Sequence, residues 1–281
     1  MSRLEVRKTY KLYIGGKFPR SESGRSYPAL GADGEVLARV ARASRKDLRD
    51  AVRVARGAQE GWASATAYNR GQVVYRIAET LEDRAGTFVE QLMDLGASKS
   101  QATKEVEETV DLVVWYAGWS DKFAQMLGNL NPVAGPFFNI STPEPTGVVG
   151  VVAPEEPPLY GLVGSVIPVI VPGNTVVVLA AENAPMPAIT FAEVLATSDV
   201  PAGVVNILTG SKDELVPWLA DHMDVDAIDA VGATPDQVRR IEEGAVHNVK
   251  RTLLPGQWSL RSPYRIAAFT ETKTVWHPKG Q

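Results

Sequence analysis

The sequence has 281 residues, of which 44% are hydrophobic and 22% are charged, and its formal net charge is −4 at neutral pH. This length supports one large hydrophobic core or two smaller ones, and the slightly acidic balance argues against binding to nucleic acid or to an anionic membrane surface. The chain has no cysteine, which excludes disulfides, thiolate metal sites and thiol catalysis by its own residues. With no secretory signal pattern and no apolar run long enough to span a bilayer, we expect a cytoplasmic protein.

The first half of the sequence predicts a hairpin followed by helices. Residues Tyr10 to Pro19 alternate apolar and polar side chains around the pair Gly15-Gly16, a pattern typical of a hairpin turn. Apolar residues at helical spacing then predict four helices, the first of them capped by Ser44. These helices are expected at residues 44–61, 67–84, 86–95 and 104–126.

Two groups of side chains on the fourth helix need an interpretation. The acidic cluster Glu105, Glu107, Glu108 and Asp111 is interpreted as a solvated helix face near the positive end of the helix dipole. The aromatic side chains at 115, 116 and 119 resemble a stacking platform, but their spacing favours packing in the core.

The stretch from Gly147 to Glu182 organises the rest of the chain. A β-branched run, Val148 to Val152, precedes an apolar helix expected from Leu159 to about Val171, and a second run, Thr175 to Leu179, follows the turn at 172–174. Short apolar runs that flank a helix predict a βαβ unit in a parallel sheet. A ligand crevice in such a sheet lies beyond the carboxyl ends of the strands, here at residues 153–159 and 179–185.

Strands and helices continue to alternate after this unit. Helices are expected at 187–197, 214–222 and 235–246, and strands at 204–208 and 227–231. This alternation predicts an α/β fold with a doubly wound parallel sheet. Two extended segments fall outside the pattern, Asn131 to Thr146 and Phe269 to Trp276.

Three segments carry a resemblance to a known family. GVVGVVAPEEPPL, PGNTVVVLAAENAP and VPAGVVNILTG resemble the cofactor-domain core of the NAD(P)-dependent aldehyde dehydrogenase superfamily. The likeness begins near Tyr13, runs to about Arg251, and resumes from Tyr264 to Trp276. It implies a Rossmann-like cofactor domain made of residues 1–130 and 147–258, and a protruding oligomerisation β-arm made of 131–146 and 264–278. The stretch between 258 and 264 is too short for the family's catalytic cysteine domain, which is therefore expected to be absent.

The resemblance also shows which catalytic groups the chain lacks. The family forms a thioester on a cysteine, and its oxyanion-stabilising asparagine follows a Pro-Trp pair that corresponds to Pro154-Glu155, so that Glu156 replaces the asparagine. A carboxylate there repels a developing oxyanion. The glutamate that activates water corresponds to Pro255, which accepts no proton. We expect no catalytic residues and no enzymatic activity from the chain alone, with a carboxylate pair at Glu155 and Glu156, suited to acid–base or metal chemistry, as the alternative.

The cofactor site implied by the resemblance is only partly retained. The family's ribose-binding lysine is Leu179, a loss of about 1.5–3 kcal/mol, while the partner glutamate remains as Glu182. Gly210 is retained, but the next family glycine is Lys212, and the Gly-Ser-Thr turn that opens a helix under the pyrophosphate begins here at Gly232. We expect no bound cofactor, with NAD(P) at low affinity as the alternative. The residues that would then contact it are Pro154, Glu182, Gly210 and Gly232.

Generic catalytic and metal-binding motifs are missing from the sequence. It contains no Gly-x-Ser-x-Gly, no Walker loop and no His-Glu-x-x-His. The histidines at 222, 247 and 277 are isolated, so no metal site is predicted.

The two segments of the family's oligomerisation arm are present although the catalytic elements are not. In the family this arm adds to the catalytic-domain sheet of a partner, and a two-fold homodimer of this chain would leave both arms unfilled. The sequence therefore favours a non-catalytic subunit, a pseudoenzyme, that forms a hetero-oligomer with a full-length aldehyde dehydrogenase. A homo-oligomer through the arm, a residual NAD(P)-binding oxidoreductase-like module and a truncated product without a role are the alternatives. The predicted interface residues are Phe137, Phe138, Ile140, Phe269, Thr270, Lys273, Val275 and Trp276.

Overall fold

A computed structural model of the protein describes residues 8–257 and 259–280, so the first seven residues and Trp258, which the predicted cofactor domain includes, lie outside the described residues. Numbered in chain order, the strands are β1 (Thr9–Tyr10), β2 (Ser26–Leu30), β3 (Val36–Ala41), β4 (Asn129–Asn131), β5 (Phe137–Pro145), β6 (Val148–Val152), β7 (Thr175–Leu179), β8 (Val205–Leu208), β9 (Ala227–Asp229), β10 (Arg251–Leu253) and β11 (Thr270–Pro278). The helices are α1 (Arg45–Ser64), α2 (Ala67–Asp83), α3 (Ala85–Asp94), α4 (Lys99–Ala117), α5 (Phe123–Leu127), α6 (Pro158–Ile170), α7 (Pro185–Ala196), α8 (Lys212–Asp221), α9 (Pro235–Ala245) and α10 (Pro263–Ala268).

The centre of the protein is a five-stranded sheet in the order β10-β9-β6-β7-β8, and all of its strand pairs are parallel. Chain order runs outward from β6 to β8 on one side and from β9 to β10 on the other. This reversal beside β6 is the mark of a doubly wound sheet. The predicted α/β class and sheet type are confirmed.

Alternate residues of the central strands enter two hydrophobic clusters. Val149 and Val151 belong to the cluster that contains α6 and α7, with α2, α3 and α4 packed behind them. Val148 and Val152 belong to the opposite cluster, formed with α1, α8 and α9. Both faces of the sheet are therefore covered by helices, which explains why its strands are apolar on both sides.

Helix α6 is the most deeply buried helix, since all of its residues except Tyr160 are buried. Its first turn is capped from another helix: one carboxylate oxygen of Glu105 in α4 accepts hydrogen bonds from the N–H groups of Leu159 (2.9 Å) and Tyr160 (3.1 Å). The prediction that the acidic cluster is solvated is correct for Glu107, Glu108 and Asp111, which are exposed, but it is wrong for Glu105. The negative charge of Glu105 stabilises the positive end of α6 rather than that of its own helix.

The aromatic group on α4 packs in the core, as predicted. Tyr116 is fully buried, and Trp115 lies edge-on to it with ring centroids 4.8 Å apart. Trp119 is partly buried against the same cluster. The helix predicted for 104–126 is instead two helices, because α4 ends at Ala117 and α5 begins at Phe123 after a turn that starts with Gly118.

The amino-terminal region differs from the predicted hairpin. The tight turn at Gly15 and Gly16 exists, with a single bridge between Ile14 and Lys17, but the flanking residues do not form long strands. A small sheet in the order β1-β3-β2, which the sequence analysis missed, lies in this region instead. Tyr13 bridges to Ile207 of β8, which connects this region to the edge of the central sheet.

The predicted arm is a separate three-stranded antiparallel sheet in the order β11-β5-β4. All nine residues of β11 pair with β5, from Thr270 opposite Pro145 to Pro278 opposite Phe137. Leu130, Ile140 and Val275 stand opposite one another on the three strands. We call these three side chains the apolar row.

Asn174 ties the base of the arm to the central core. Its side chain is fully buried, its Oδ1 accepts the N–H of Gly147 (2.8 Å), and its Nδ2 donates to the carbonyls of Val169 (3.0 Å) and Phe269 (2.9 Å). Phe269 itself is 0% exposed and Thr270 is 8% exposed, so the prediction that these two residues contact a partner is wrong. They anchor β11 within their own chain because they directly follow α10, whose buried face packs on α6.

None of the helices in the described part of the chain is long and apolar enough to cross a membrane.

Candidate functional site

The candidate site is the edge of the central sheet where the strands end. Beyond β6 come Ala153, Pro154 and Glu155, and beyond β7 the chain continues through Ala180 and Ala181 to Glu182. Helix α8 begins with Lys212, shortly after the end of β8. Ligands of doubly wound sheets bind at this edge, beside the point where the strand order reverses.

Two carboxylates accept the backbone N–H groups that these strand ends present. Glu155 accepts from the N–H of Glu182 (3.2 Å) and from that of Asn183 (3.1 Å). Glu182 in turn accepts from the backbone N–H of Lys212 (2.6 Å). Each turn is therefore bonded to the next one along the sheet edge.

The side chain of Lys212 completes a closed ring of bonds. Its ammonium donates to the carbonyl of Ala153 (2.6 Å) and forms an ion pair with Glu155, and the residue is only 3% exposed. We call Ala153, Glu155, Glu182, Asn183 and Lys212 the Lys212 ring. Burying a charge is costly unless the charge is paired and its remaining hydrogen bonds are satisfied, and the ring meets both conditions.

The next strand end, beyond β9, approaches the ring closely. The N–H of Gly232 donates to the carbonyl of Val152 (2.9 Å), and a Cβ at this position would lie 2.2 Å from the carbonyl oxygen of Ala153. Only glycine fits in this contact. This explains why the glycine of the family's Gly-Ser-Thr turn is kept as Gly232, although the serine is replaced by Ala233.

Helix α9 follows Gly232, and its N-terminus, where a phosphate would bind, is capped by side chains of the helix itself. Thr234 and Gln237 form a reciprocal capping box, and the Gln237 side-chain amide also donates to Asp213 of α8 (2.7 Å). The helix N-terminus is an anion site only when its N–H groups are free. Here the side chain of Thr234 accepts the N–H of Gln237, and the Gln237–Asp213 bond joins the starts of α8 and α9.

The charged group at the end of β9 is also paired. Asp229 is 0% exposed and forms an ion pair with Arg265 of α10, which is 1% exposed, while Asp229 Oδ1 accepts the N–H of Val231 (3.1 Å). The Tyr116 hydroxyl donates to the carbonyl of Leu260 (2.6 Å), which holds the preceding segment in place. The short link between β10 and β11 therefore packs onto the sheet end with its own buried counter-charge.

The predicted cofactor residues have structural roles in this arrangement. Pro154 packs so close to Gly161 that a Cβ there would lie 2.4 Å from the proline ring, and Gly210, with φ +143°, packs against the backbone of Ala43. Glu182 belongs to the Lys212 ring. Glu182 and Gly210 also line a cavity of about 330 Å³ toward the small sheet, beside Tyr27 and Arg42.

The two positions predicted to be degenerate catalytic residues are both exposed. Glu156 is exposed, and partial burial, with Glu105 and Glu155 nearby, raises the pKa of its carboxyl. Pro255 is exposed in a turn that continues through Gly256 with φ +74°. Because Glu155 turns into the ring and Glu156 faces solvent, the two adjacent carboxylates do not form the carboxylate pair considered as an alternative. The described residues contain no group of three or more histidine, aspartate or glutamate side chains placed to hold a metal ion.

The arrangement does not fit NAD(P), the cofactor implied by the resemblance. The backbone donors at 182, 183 and 212 are bonded to carboxylates, and the start of α9 is capped. A dinucleotide needs such donors for its ribose hydroxyls and pyrophosphate. The loss of glycine at position 212 is visible in the sequence, but the reach of the lysine across the sheet edge is not, since its partners lie 57 and 59 residues away.

Comparison with known proteins agrees with the fold and the motifs. The model of the aldehyde dehydrogenase family matches residues 21–256. Cytosolic 10-formyltetrahydrofolate dehydrogenase of Mus musculus is 33% identical over 261 residues, which cover 90% of this chain and 29% of the mouse protein. Aldehyde dehydrogenase, cytosolic 1 of Elephantulus edwardii is 33% identical over 251 residues, which cover 87% of this chain and 49% of that protein.

Solved structures give the same result. The NAD+ complex of an aldehyde dehydrogenase from Bacillus cereus superposes with a TM-score of 0.82 at 26% identity, covering 88% of this chain and 50% of that one. HpcC from Thermus thermophilus superposes with a TM-score of 0.82 at 27% identity, covering 87% of this chain and 47% of that one. The chain thus spans about half the length of the aldehyde dehydrogenases that it matches. It belongs to the aldehyde dehydrogenase family, as its motifs predicted.

Proposed function

We propose that this chain is a non-catalytic aldehyde dehydrogenase-like subunit that assembles with a full-length NAD(P)-dependent aldehyde dehydrogenase as a structural or regulatory partner. The observation that carries the proposal is the contrast between a sheet edge closed by internal bonds and an arm whose apolar row faces solvent. The first argues against chemistry in the crevice and the second favours an interface.

The groups that the family's reaction needs are replaced in this sequence. No residue is a cysteine, the oxyanion-stabilising asparagine is Glu156, and the general base is Pro255. Glu156 follows β6 and Pro255 follows β10, and these strands are separated by β9 in the sheet. Covalent catalysis requires a nucleophile, a base and a stabilised oxyanion in one place.

The arm presents a surface suited to protein contact. In the apolar row, Leu130 is 67% exposed, Ile140 is 41% exposed and Val275 is 47% exposed, and Phe138 on the same face is 42% exposed. The opposite face is more polar: Asn131 donates to Asn139 and Ser141, and Ser141 bonds Thr274. Contiguous exposed apolar side chains on one face of a sheet are typical of protein–protein contacts.

The edge of the arm provides a second means of contact. β11 pairs with β5 on one side, and among the described residues no strand pairs with its other side. Lys273 and Glu144 form a pair across β11 and β5, so they stabilise the arm itself, and Phe137 packs edge-on against Trp276. An unpaired edge accepts a strand from another chain. In the family the arm adds to the catalytic-domain sheet of a partner, so a full-length relative is the partner that the proposal favours.

Light scattering coupled to size-exclusion chromatography tests the proposal on the full chain. The chain alone and a mixture with a full-length aldehyde dehydrogenase from the same source are compared, and a mixed complex of defined mass is expected. A stable monomer that remains separate from every such enzyme would contradict the proposal.

A pair of matched variants locates the contact. Leu130→Glu places a charge in the apolar row on β4, whereas Leu30→Glu places one at a leucine that is 46% exposed on β2 of the small sheet. We expect Leu130→Glu to weaken the mixed complex at least about tenfold, since burying an unpaired carboxylate is costly, and Leu30→Glu to leave it unchanged. Equal effects of the two variants would assign the contact elsewhere.

A further inference from the structure

The Lys212 side chain crosses the sheet edge where the family binds its cofactor. Lys212 is the first residue of α8 and follows the end of β8, yet its ammonium bonds the carbonyl of Ala153, directly after β6. β7 lies between those two strands in the sheet, and neighbouring strands are about 4.8 Å apart. The ammonium therefore reaches the end of β6, although the residue itself follows β8.

This side chain occupies space at the strand ends, next to the cavity of about 330 Å³ that Glu182 and Gly210 line. Lys212 is 3% exposed, so its stem contacts protein almost everywhere along its length. A dinucleotide in a doubly wound sheet lies against the strand ends beside the reversal of strand order, and here the lysine stem lies against them.

The charge of the Lys212 ring also disfavours the binding of a nucleotide. The Lys212 ring combines two carboxylates, those of Glu155 and Glu182, with one ammonium, so it keeps a formal net negative charge. Its backbone N–H donors already point at these carboxylates. An incoming pyrophosphate would meet negative charge, and the donors at 182, 183 and 212 are already bonded, the reverse of a phosphate-binding turn.

We propose that Lys212 is an intramolecular plug that takes the place of the nucleotide and keeps NAD(P) out of the crevice. Leu179, where the family has a ribose-binding lysine, would then be a secondary loss. The plug also links the residues that follow β6 and β7 to the start of α8. The proposal concerns the isolated chain, so its test does not depend on the proposed assembly.

Nucleotide titration of the full chain and of Lys212→Gly tests the plug. Calorimetry with NAD+ and fluorescence with NADH are expected to show no binding by the wild-type chain at millimolar concentration. Lys212→Gly, with its fold checked by circular dichroism, is expected to gain at least about tenfold in affinity, since it removes the stem and restores the family's residue type. Lys212→Met keeps a stem of similar length and is expected to remain closed.

Lys250→Gly is the matched control. Lys250 is also a buried lysine, 6% exposed, and its ammonium donates to the carbonyl of His222 (3.0 Å) and to Asn248 (2.6 Å), away from the crevice. Its loss is expected to lower stability without any gain in nucleotide binding. Micromolar binding of NAD+ by the wild-type chain, or a folded Lys212→Gly chain with no gain, would overturn the proposal.

Amine acylation of the wild-type chain tests the same proposal without a substitution, and it decides the matter if Lys212→Gly does not fold. The Lys104 side chain is 72% exposed and that of Lys212 is 4% exposed. Lys212 is expected to react at least about tenfold more slowly than Lys104, and NAD+ is expected to leave its rate unchanged. Equal rates for the two lysines, or protection of Lys212 by NAD+, would overturn the plug.

Discussion

The crevice and the arm differ in what they leave exposed: polar groups of the crevice are bonded within the chain, whereas apolar side chains of the arm face solvent. At the sheet edge, Glu155, Glu182 and Lys212 are bonded to one another, and Lys212 is buried. On the arm, Leu130, Ile140 and Val275 stand in a row and remain between 41% and 67% exposed. In this member of the family, the bonds at the edge of the sheet therefore stabilise the fold. The arm, in contrast, keeps apolar side chains exposed to solvent.

The largest expected effect comes from the base of the arm. Arg265→Ala leaves Asp229 as an unpaired charge at a fully buried position, and we expect a loss of about 3–5 kcal/mol in the free energy of unfolding. Urea denaturation followed by circular dichroism measures it. Because α10 leads into β11, this variant removes the ion pair that joins the end of β9, in the central sheet, to the segment that precedes the arm.

Arg240→Ala is the control for this prediction. Arg240 pairs with Asp221, and their side chains are 32% and 43% exposed, so the loss there is expected to stay within about 1 kcal/mol. A similarly small loss for Arg265→Ala would mean that the arm is not held at its base by the buried ion pair.

A smaller effect is expected where the crevice meets α6. Glu105→Ala removes the carboxylate that caps Leu159 and Tyr160, and we expect a loss of about 1–2 kcal/mol in the free energy of unfolding. Glu107→Ala, at an exposed position on the same helix, is expected to change it by less than about 0.5 kcal/mol. Thermal and urea denaturation of the two variants make the comparison, and equal losses would show that the cap does not stabilise α6.

The smallest effect concerns the carboxylate of Glu214, two residues beyond the plug. A hydrogen bond from Arg25, followed by the charges of Arg25 and Arg42, lowers the pKa of Glu214 below its ordinary value. A carboxyl whose pKa is lower in the folded state stabilises the fold above the unfolded-state pKa, and this contribution is lost as the pH falls through the folded-state pKa. Because the pair is largely exposed, only a slight shift of the acid limb of stability is expected.

Arg25→Gln checks the Glu214 prediction directly. NMR titration of side-chain carboxyl carbons is expected to show the pKa of Glu214 rising toward its ordinary value in this variant, and the acid limb of the unfolding free energy is expected to move upward in pH with it. An unchanged Glu214 titration would show that Arg25 does not hold α8 to the small sheet electrostatically.

The sequence was sufficient for the central fold because its signals are local. The runs Val148 to Val152 and Thr175 to Leu179 are β-branched, they flank an apolar helix, and turn residues separate them. The start of α1 was predicted from Ser44, which the structure shows in a capping box with Asp47, but the same kind of cap at Ser98 was missed, and α4 begins at Lys99 rather than at 104. The arm was predicted from the resemblance to the family, and three of the predicted interface residues, Phe138, Ile140 and Val275, lie on its exposed face.

The sequence was insufficient where distant residues decide the outcome. Strand β2 contains Pro28, and β3 owes its place to pairing on both sides, so neither has a strong local signal. Glu105 caps a helix more than fifty residues away, and Lys212 bonds residues that precede it by a similar distance. In the same way Phe269 was assigned to the interface from strand alternation, although the approach of Asn174 and α6 buries it. Such roles depend on the three-dimensional arrangement, which periodicity does not contain.

The pairing of β5 with β11 has a consequence for how the protein is made. β5 leaves the ribosome roughly 130 residues before its partner strand, an interval on the order of 10 s at about 5–20 residues per second. During that interval one side of β5 has unbonded backbone groups and a phenylalanine-rich end, and only the short strand β4 is available beside it. The nascent chain is therefore most open to association at the segment that carries the proposed interface.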